Sequence, residues 1–211
     1  VGGVRDDGYF IDIGVPQDYR QAQADLARPP LDLARVDKGW TLLLDRDGVI
    51  NREIQGGYVR NWEEFAFLEG ARDAIRLLAG RAGRLLVVSN QRGIGKGLMT
   101  DQDLSAIHAR MVHQIREAGG RIDGIYYCSS LDDRHPDRKP NPGMAFRARH
   151  DFPGMDLSRT IMVGNKPSDM LFGRNAGVYT VFIRTTNPDH PVDHADIDLA
   201  FDSLLSFAKA L

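Results

Sequence analysis

Five short apolar runs constrain this chain more than any other feature: Thr41 to Leu44, Leu85 to Ser89, Ile125 to Cys128, Thr160 to Gly164 and Tyr179 to Ile183. They are rich in β-branched or aromatic residues and do not alternate with polar ones, the pattern of strands buried on both faces. Helical patterns lie between most of them. Ala71 to Leu78 sets Ala74, Leu77 and Leu78 on one stripe, and Asp101 to Ala118 does the same with Leu104, Ile107, Met111 and Ile115. Thr100, with Asp103 three residues on, predicts an N-cap, and Gly119-Gly120 a stop. Asn141-Pro142 reads as another helix start. Strand and helix in alternation imply an α/β fold, doubly wound about a mainly parallel sheet. In such sheets ligands bind beyond the carboxyl ends of the strands.

The first run ends abruptly in Asp45-Arg46-Asp47-Gly48. Residues i and i+2 of a strand face the same side, so Asp45 and Asp47 converge at the strand's end, where Gly48 lets the chain turn away. Two carboxylates that close can share a divalent cation, or divide the work of nucleophile and acid/base. Ser89 and the Gly164-Asn165-Lys166 turn also follow strands, and Lys139 lies in a polar loop after the Ile125 run, within reach of the same edge. Two acids, a hydroxyl, an ammonium and a polar turn are the set phosphoryl transfer needs: a nucleophile, neutralisation of non-bridging oxygens and a proton donor.

With 211 residues there is room for one core and an appendage. A net charge of −2 leaves no broad basic footprint for nucleic acid. No apolar stretch approaches the roughly 20 residues of a membrane span and no signal-peptide pattern opens the chain. The one cysteine, Cys128, excludes an intrachain disulfide and fits a reducing cytoplasm. Residues 1–39 read differently from the rest: Gly8 to Ile13 as a strand, Pro16 to Leu26 as a short helix, and Pro29-Pro30 to Gly39 as a linker. The chain opens at Val1 rather than Met and so reads as a processed or excised piece.

The ordered segments D-R-D-G-V-I-N (45–51), S-N-Q-x-G-I (89–94), R-K-P-N-P-G-M (138–144) and V-G-N-K-x-x-D-M (163–170) resemble the haloacid dehalogenase superfamily of phosphatases, within it the histidinol-phosphate and heptose-bisphosphate phosphatase branch. The similarity covers residues 40–211. It implies a Rossmann-like domain with a small flap and no large cap, and a Mg²⁺-dependent phosphatase acting on a small phosphorylated sugar, a heptose 1,7-bisphosphate losing its 7-phosphate. By the resemblance Asp45 is the nucleophile, Asp47 the acid/base, and Ser89 and Lys139 hold the phosphoryl oxygens. Asn90 and Gln91 line the pocket, Gly56-Gly57-Tyr58-Val59 form the flap, and Arg138 grips the second phosphate or the sugar. Arg46, Arg92 and Lys166 are read as further substrate contacts. Mg²⁺ falls to Asp45, the main-chain carbonyl of Asp47, Asn165 and Asp169. Gly8 to Tyr19 resembles the closing segment of sugar-phosphate nucleotidyltransferases, which implies a fused or associated partner of that kind.

Two departures stand out. Asn165 occupies the place of an Asp that ligates Mg²⁺ in the resembled family; the amide oxygen can still coordinate, with one negative charge fewer, and weaker Mg²⁺ binding is expected. The thiolate-rich zinc loop of many relatives is reduced to Cys128 and His135, so zinc is not expected. His108 and His113 fall within a helix, His190 and His194 in a polar loop, Asp132-Asp133 in a solvated turn, and none is read as a ligand. Gly93-Ile94-Gly95-Lys96-Gly97 lacks the order of a phosphate-binding P-loop. Histidinol phosphate or another small phosphomonoester remains an alternative substrate, and a binding or regulatory domain with an impaired metal site an alternative function.

Overall fold

The structure, a computed structural model, describes residues 28–211. The strand and helix expected before Leu26, and the segment resembling nucleotidyltransferases, lie outside the described residues. Chain contacts divide the molecule into residues 1–30 and 31–211. Val36 and Trp40 are buried in the core of the second unit.

That unit holds six parallel strands, β1 (Thr41–Leu44), β2 (Arg84–Asn90), β3 (Gly124–Cys128), β4 (Thr160–Gly164), β5 (Tyr179–Ile183) and β6 (Leu199–Phe201), in the order β3-β2-β1-β4-β5-β6. Six helices accompany them: α1 (Ala71–Arg81), the single turn α2 (Arg92–Gly95), α3 (Asp101–Glu117), α4 (Gly143–Asp151), α5 (Pro167–Asn175) and α6 (Leu204–Ala210). None of the described helices is long and apolar enough to cross a membrane.

Period-two alternation along each strand splits the core into two layers. Leu42, Leu44, Leu85, Val87, Ile161 and Val163 pack on one face with Ile75 and Leu78 of α1, Leu104 and Met111 of α3 and Phe207 of α6. Leu43, Leu86, Val88 and Met162 pack on the other with Met144 and Ala148 of α4 and Phe172 of α5. Helices on both faces explain why the strands read as unbroken apolar runs. The capping box of α3 forms as expected between Thr100 and Asp103. Pro142 occupies the N-cap of α4 rather than its first turn.

The central pairing sets the site. Leu44, the last residue of β1, lies opposite Val87 on one side and Val163 on the other, so Asp45 leaves the sheet beside β4, which ends one residue on at Gly164, and β2, which runs three residues on to Asn90. The amide of Asp45 continues the ladder by donating to the Val163 carbonyl at 2.9 Å. Over this edge runs the segment after β1, tied down by bridges from Asp47 to Asn51 and from Asn51 to Phe67.

Candidate active site

The acids at the end of β1 have different surroundings. Asp45 is buried, and its Oδ1 accepts from Lys139 Nζ at 2.8 Å. The same ammonium donates to the Val88 carbonyl at 2.9 Å and lies 2.7 Å from Asp169 Oδ1, so one buried cation joins the ends of β1, β2 and α5. Asn90 holds the lysine's backbone from both sides: its Oδ1 accepts from the Lys139 amide and its Nδ2 donates to the Lys139 carbonyl, each at 3.0 Å. Burial pushes Asp45 up to about 6 despite the attraction of Lys139, with Asp169 and Asp47 adding to the rise. Burial alone would lower Lys139; Asp169 and Asp45 outweigh it and hold the amine above its usual range.

Asp47 is the more open acid. Its Oδ1 accepts from Arg46 Nη2 and from Asn51 Nδ2, both at 2.9 Å; its Oδ2 accepts from Arg46 Nη2 at 3.0 Å and Gln91 Nε2 at 2.9 Å. Burial would raise this carboxylate, but Arg46, Asn51 and Gln91 together hold it below the usual range. Gln91 also donates to Ser89 Oγ at 2.7 Å, which links the hydroxyl at the end of β2 to the second acid.

Three expectations are corrected here. Arg46 is no substrate contact: its side chain is wholly buried beneath Asp47. The period-two rule that faces Asp45 and Asp47 the same way turns the residue between them away, so this was a readable signal. Val59 is 2% exposed and packs in the core, leaving Gly56, Gly57 and Tyr58 to form the flap. With Ile54, Arg60 and Lys96 these three line a cavity of about 380 Å³, and Lys96 Nζ sits 5.1 Å above the Tyr58 ring. Asp169, expected to ligate metal, has both oxygens engaged: Oδ1 with Lys139, and Oδ2 with the amides of Asn165 at 3.1 Å and Lys166 at 3.0 Å. It is the third residue of α5, where a carboxylate answers the free amides of the helix start.

The other basic candidates are engaged by neighbouring residues. Arg138 donates from Nε to Asp133 at 2.7 Å and from Nη1 to the Ser130 carbonyl at 3.4 Å. Arg92 donates to the Leu131 carbonyl at 3.3 Å. Lys166 Nζ pairs with Glu53 Oε1 at 2.5 Å. Cys128 Sγ lies 3.6 Å from His135 Nδ1.

Asn165 is fully buried, and its Nδ2 donates to Glu53 Oε2 at 3.3 Å and to Thr186 Oγ1. Both partners accept, which fixes the amide nitrogen toward them. The amide oxygen is left with no hydrogen-bond partner among the described residues. Among those residues no three His, Cys, Asp or Glu side chains gather as a metal cluster. A fully buried amide oxygen with no hydrogen-bond partner suits a hard, oxygen-seeking cation such as Mg²⁺ with fewer charged ligands than a three-acid set. Glu53, Thr186 and His108, which supports Arg46, were not anticipated. Glu53 and Thr186 sit in unpatterned polar loops, whereas His108 falls four residues after Leu104 on the buried stripe of α3 and was legible as an interior residue.

Comparison with known proteins settles the lineage. A HAD-hydrolase-like family profile matches residues 137–205. D-glycero-alpha-D-manno-heptose-1,7-bisphosphate 7-phosphatase of Mycobacterium bovis is 36% identical over 178 residues, covering 84% of this chain and 94% of that protein. The chain belongs to this phosphatase family. A relative named for the beta anomer, from Yersinia pestis, is 33% identical over 183 residues, 81% of this chain and 94% of its own. The crystal structure of D,D-heptose 1,7-bisphosphate phosphatase from B. bronchiseptica, complexed with magnesium and phosphate, superposes with a TM-score of 0.74 at 27% identity, covering 81% of this chain and 96% of its own. Family membership accords with the all-parallel sheet and with the acids at its carboxyl edge.

Proposed function

We propose that this protein is a Mg²⁺-dependent phosphatase that removes the 7-phosphate of D-glycero-D-manno-heptose 1,7-bisphosphate. The observation that carries the reading is the buried contact of Lys139 with Asp45 at the carboxyl edge of the sheet, in a chain that shares a third of its residues with relatives of that name over most of both lengths.

Asp45 supplies the nucleophile. Its free oxygen attacks phosphorus, the bond to the sugar oxygen breaks, and the departing oxygen takes a proton from Asp47, which is ionised in the free protein and takes up that proton as the phosphorylated substrate binds. Lys139 offers positive charge beside the transferring group and holds Asp45 against rotation. In the second step Asp47, now a carboxylate, takes a proton from water as the water attacks the aspartyl-phosphate, and Asp45 leaves as carboxylate. The proton given in the first step is thus regained in the second. Arg46 steadies Asp47 from below, and Gln91 aligns Asp47 with Ser89, which donates to a phosphoryl oxygen. Asn90 fixes the Lys139 backbone instead of touching substrate. Tyr58, Gly56 and Gly57 shape the sugar side, and Arg138, Arg92 and Lys166 form the polar rim toward the second phosphate.

Mg²⁺ would be held by the Asp45 carboxylate, the Asp47 main-chain carbonyl and Asn165 Oδ1, and would supply charge against the non-bridging oxygens of the phosphoryl group. Side-by-side assays of heptose 1,7-bisphosphate and histidinol phosphate, with Mg²⁺ and with chelator, test the reading. Preference for the heptose that chelator abolishes is the expected result.

A further inference from the structure

Arg46 heads the largest wholly buried side chains of the described residues. A buried guanidinium is tolerated only when its donors are used. One side is: Nε lies 3.3 Å and Nη2 2.9 Å from Asp47 Oδ1, with Nη2 also 3.0 Å from Oδ2. The other side, Nη1, lies 3.2 Å from His108 Nε2. Guanidinium has no acceptor, so the imidazole nitrogen must accept, which places the histidine proton on Nδ1 and leaves the ring neutral. Burial, with the Arg46 charge beside it, takes His108 down to about 3, so the acceptor persists at neutral pH. His108 is 7% exposed, and its ring meets Tyr127 edge-on at 6.2 Å.

We infer that His108 is a positioning residue for the acid/base step: by accepting from Arg46 Nη1 it fixes the guanidinium whose opposite edge orients Asp47. This rests on the reading of Asp47 as the group that protonates the departing sugar oxygen. Without an acceptor at Nη1 a buried donor goes unsatisfied, which is costly inside the protein. The guanidinium then gains by rotating toward another acceptor, and in rotating it loosens its side-on grip on Asp47.

The consequence depends on the leaving group. A sugar alkoxide needs a proton as it departs; nitrophenolate does not. The test compares kcat/KM, which reports steps through departure of the first product, for heptose 1,7-bisphosphate and p-nitrophenyl phosphate with saturating Mg²⁺. The proteins are the wild type, D47N, H108F, H108M and H108Q. H108F keeps a ring against Tyr127 without an acceptor; H108M and H108Q have similar length, and only the glutamine can accept strongly from Arg46. D47N should lose on the order of 10² or more on the sugar phosphate and much less on the aryl phosphate. H108F and H108M should lose about tenfold on the sugar phosphate with aryl activity within about twofold, and H108Q should recover most of the loss. Equal losses on both substrates, no loss, or an H108Q no better than H108M would overturn the inference. A D47N with no leaving-group dependence would overturn the acid reading beneath it, whatever the His108 variants do.

Discussion

Lys139 and Asp45, 94 residues apart in sequence, meet as a buried ion pair at 2.8 Å on the carboxyl edge of the sheet. The lysine also lies 2.7 Å from Asp169, so one cation serves two buried carboxylates. This ion pair assembles the site, because it brings the loop after β3 onto the ends of β1 and α5.

Replacing the cation tests that role. Lys139→Met leaves two buried carboxylates facing each other, and breaking a buried pair costs roughly 3–5 kcal/mol. At about 2–4 °C per kcal/mol for a domain of this size, thermal denaturation should register a loss of many degrees. Turnover should fall on the order of 10² or more, since the transferring phosphoryl group loses the positive charge of Lys139.

Asn165→Asp has a less obvious outcome. On charge alone the acid should strengthen Mg²⁺ binding, but the amide nitrogen it removes donates to Glu53 at 3.3 Å. A carboxylate there would face Glu53 and lose that hydrogen bond. Calorimetric Mg²⁺ titration should show little gain for N165D, and a gain on the order of tenfold only for N165D combined with E53Q.

Gly48 is fixed by geometry. Its φ is +91°, and a Cβ there would collide with Asn165 Nδ2 and lie 2.7 Å from Asn165 Cγ. Gly48→Ala should therefore displace Asn165 as well as strain the turn, lowering activity by on the order of 10² while far-ultraviolet circular dichroism stays native.

His108 carries a pH signature of its own. Its folded pKa, about 3, is depressed from 6.5, so its contribution to stability is present above 6.5 and is lost as pH falls toward 3. Over that window the stability of the wild type should fall more steeply than that of H108Q, by up to about 1.4 kcal/mol per pH unit. Urea denaturation at successive pH values would reveal the difference, and parallel curves would refute it.

The sheet is largely legible because strands buried on both faces are mostly apolar, as β1, β2, β4 and β5 are; β3, half-buried at one edge, shows itself by its Ile-Tyr-Tyr-Cys run. β6 is not: Leu199–Phe201 is three half-buried residues at the sheet edge, too short for a pattern. Asp45 and Lys139 were legible because each follows a strand or a recognisable segment. The spacing of Asp169 from Asn165 fits a metal turn and a helix capping box alike, and its hydrogen bonds are those of the capping box. Glu53 and Thr186 reach Asn165 from distant loops, a convergence that no local pattern encodes.

The central claim is that Asp45 attacks the 7-phosphate of a heptose 1,7-bisphosphate. Phosphate release from that substrate with millimolar Mg²⁺ should be readily measured for the wild type, stopped by chelator and absent in folded Asp45→Ala. Release that survives Asp45→Ala, or none from the folded wild type, would contradict it.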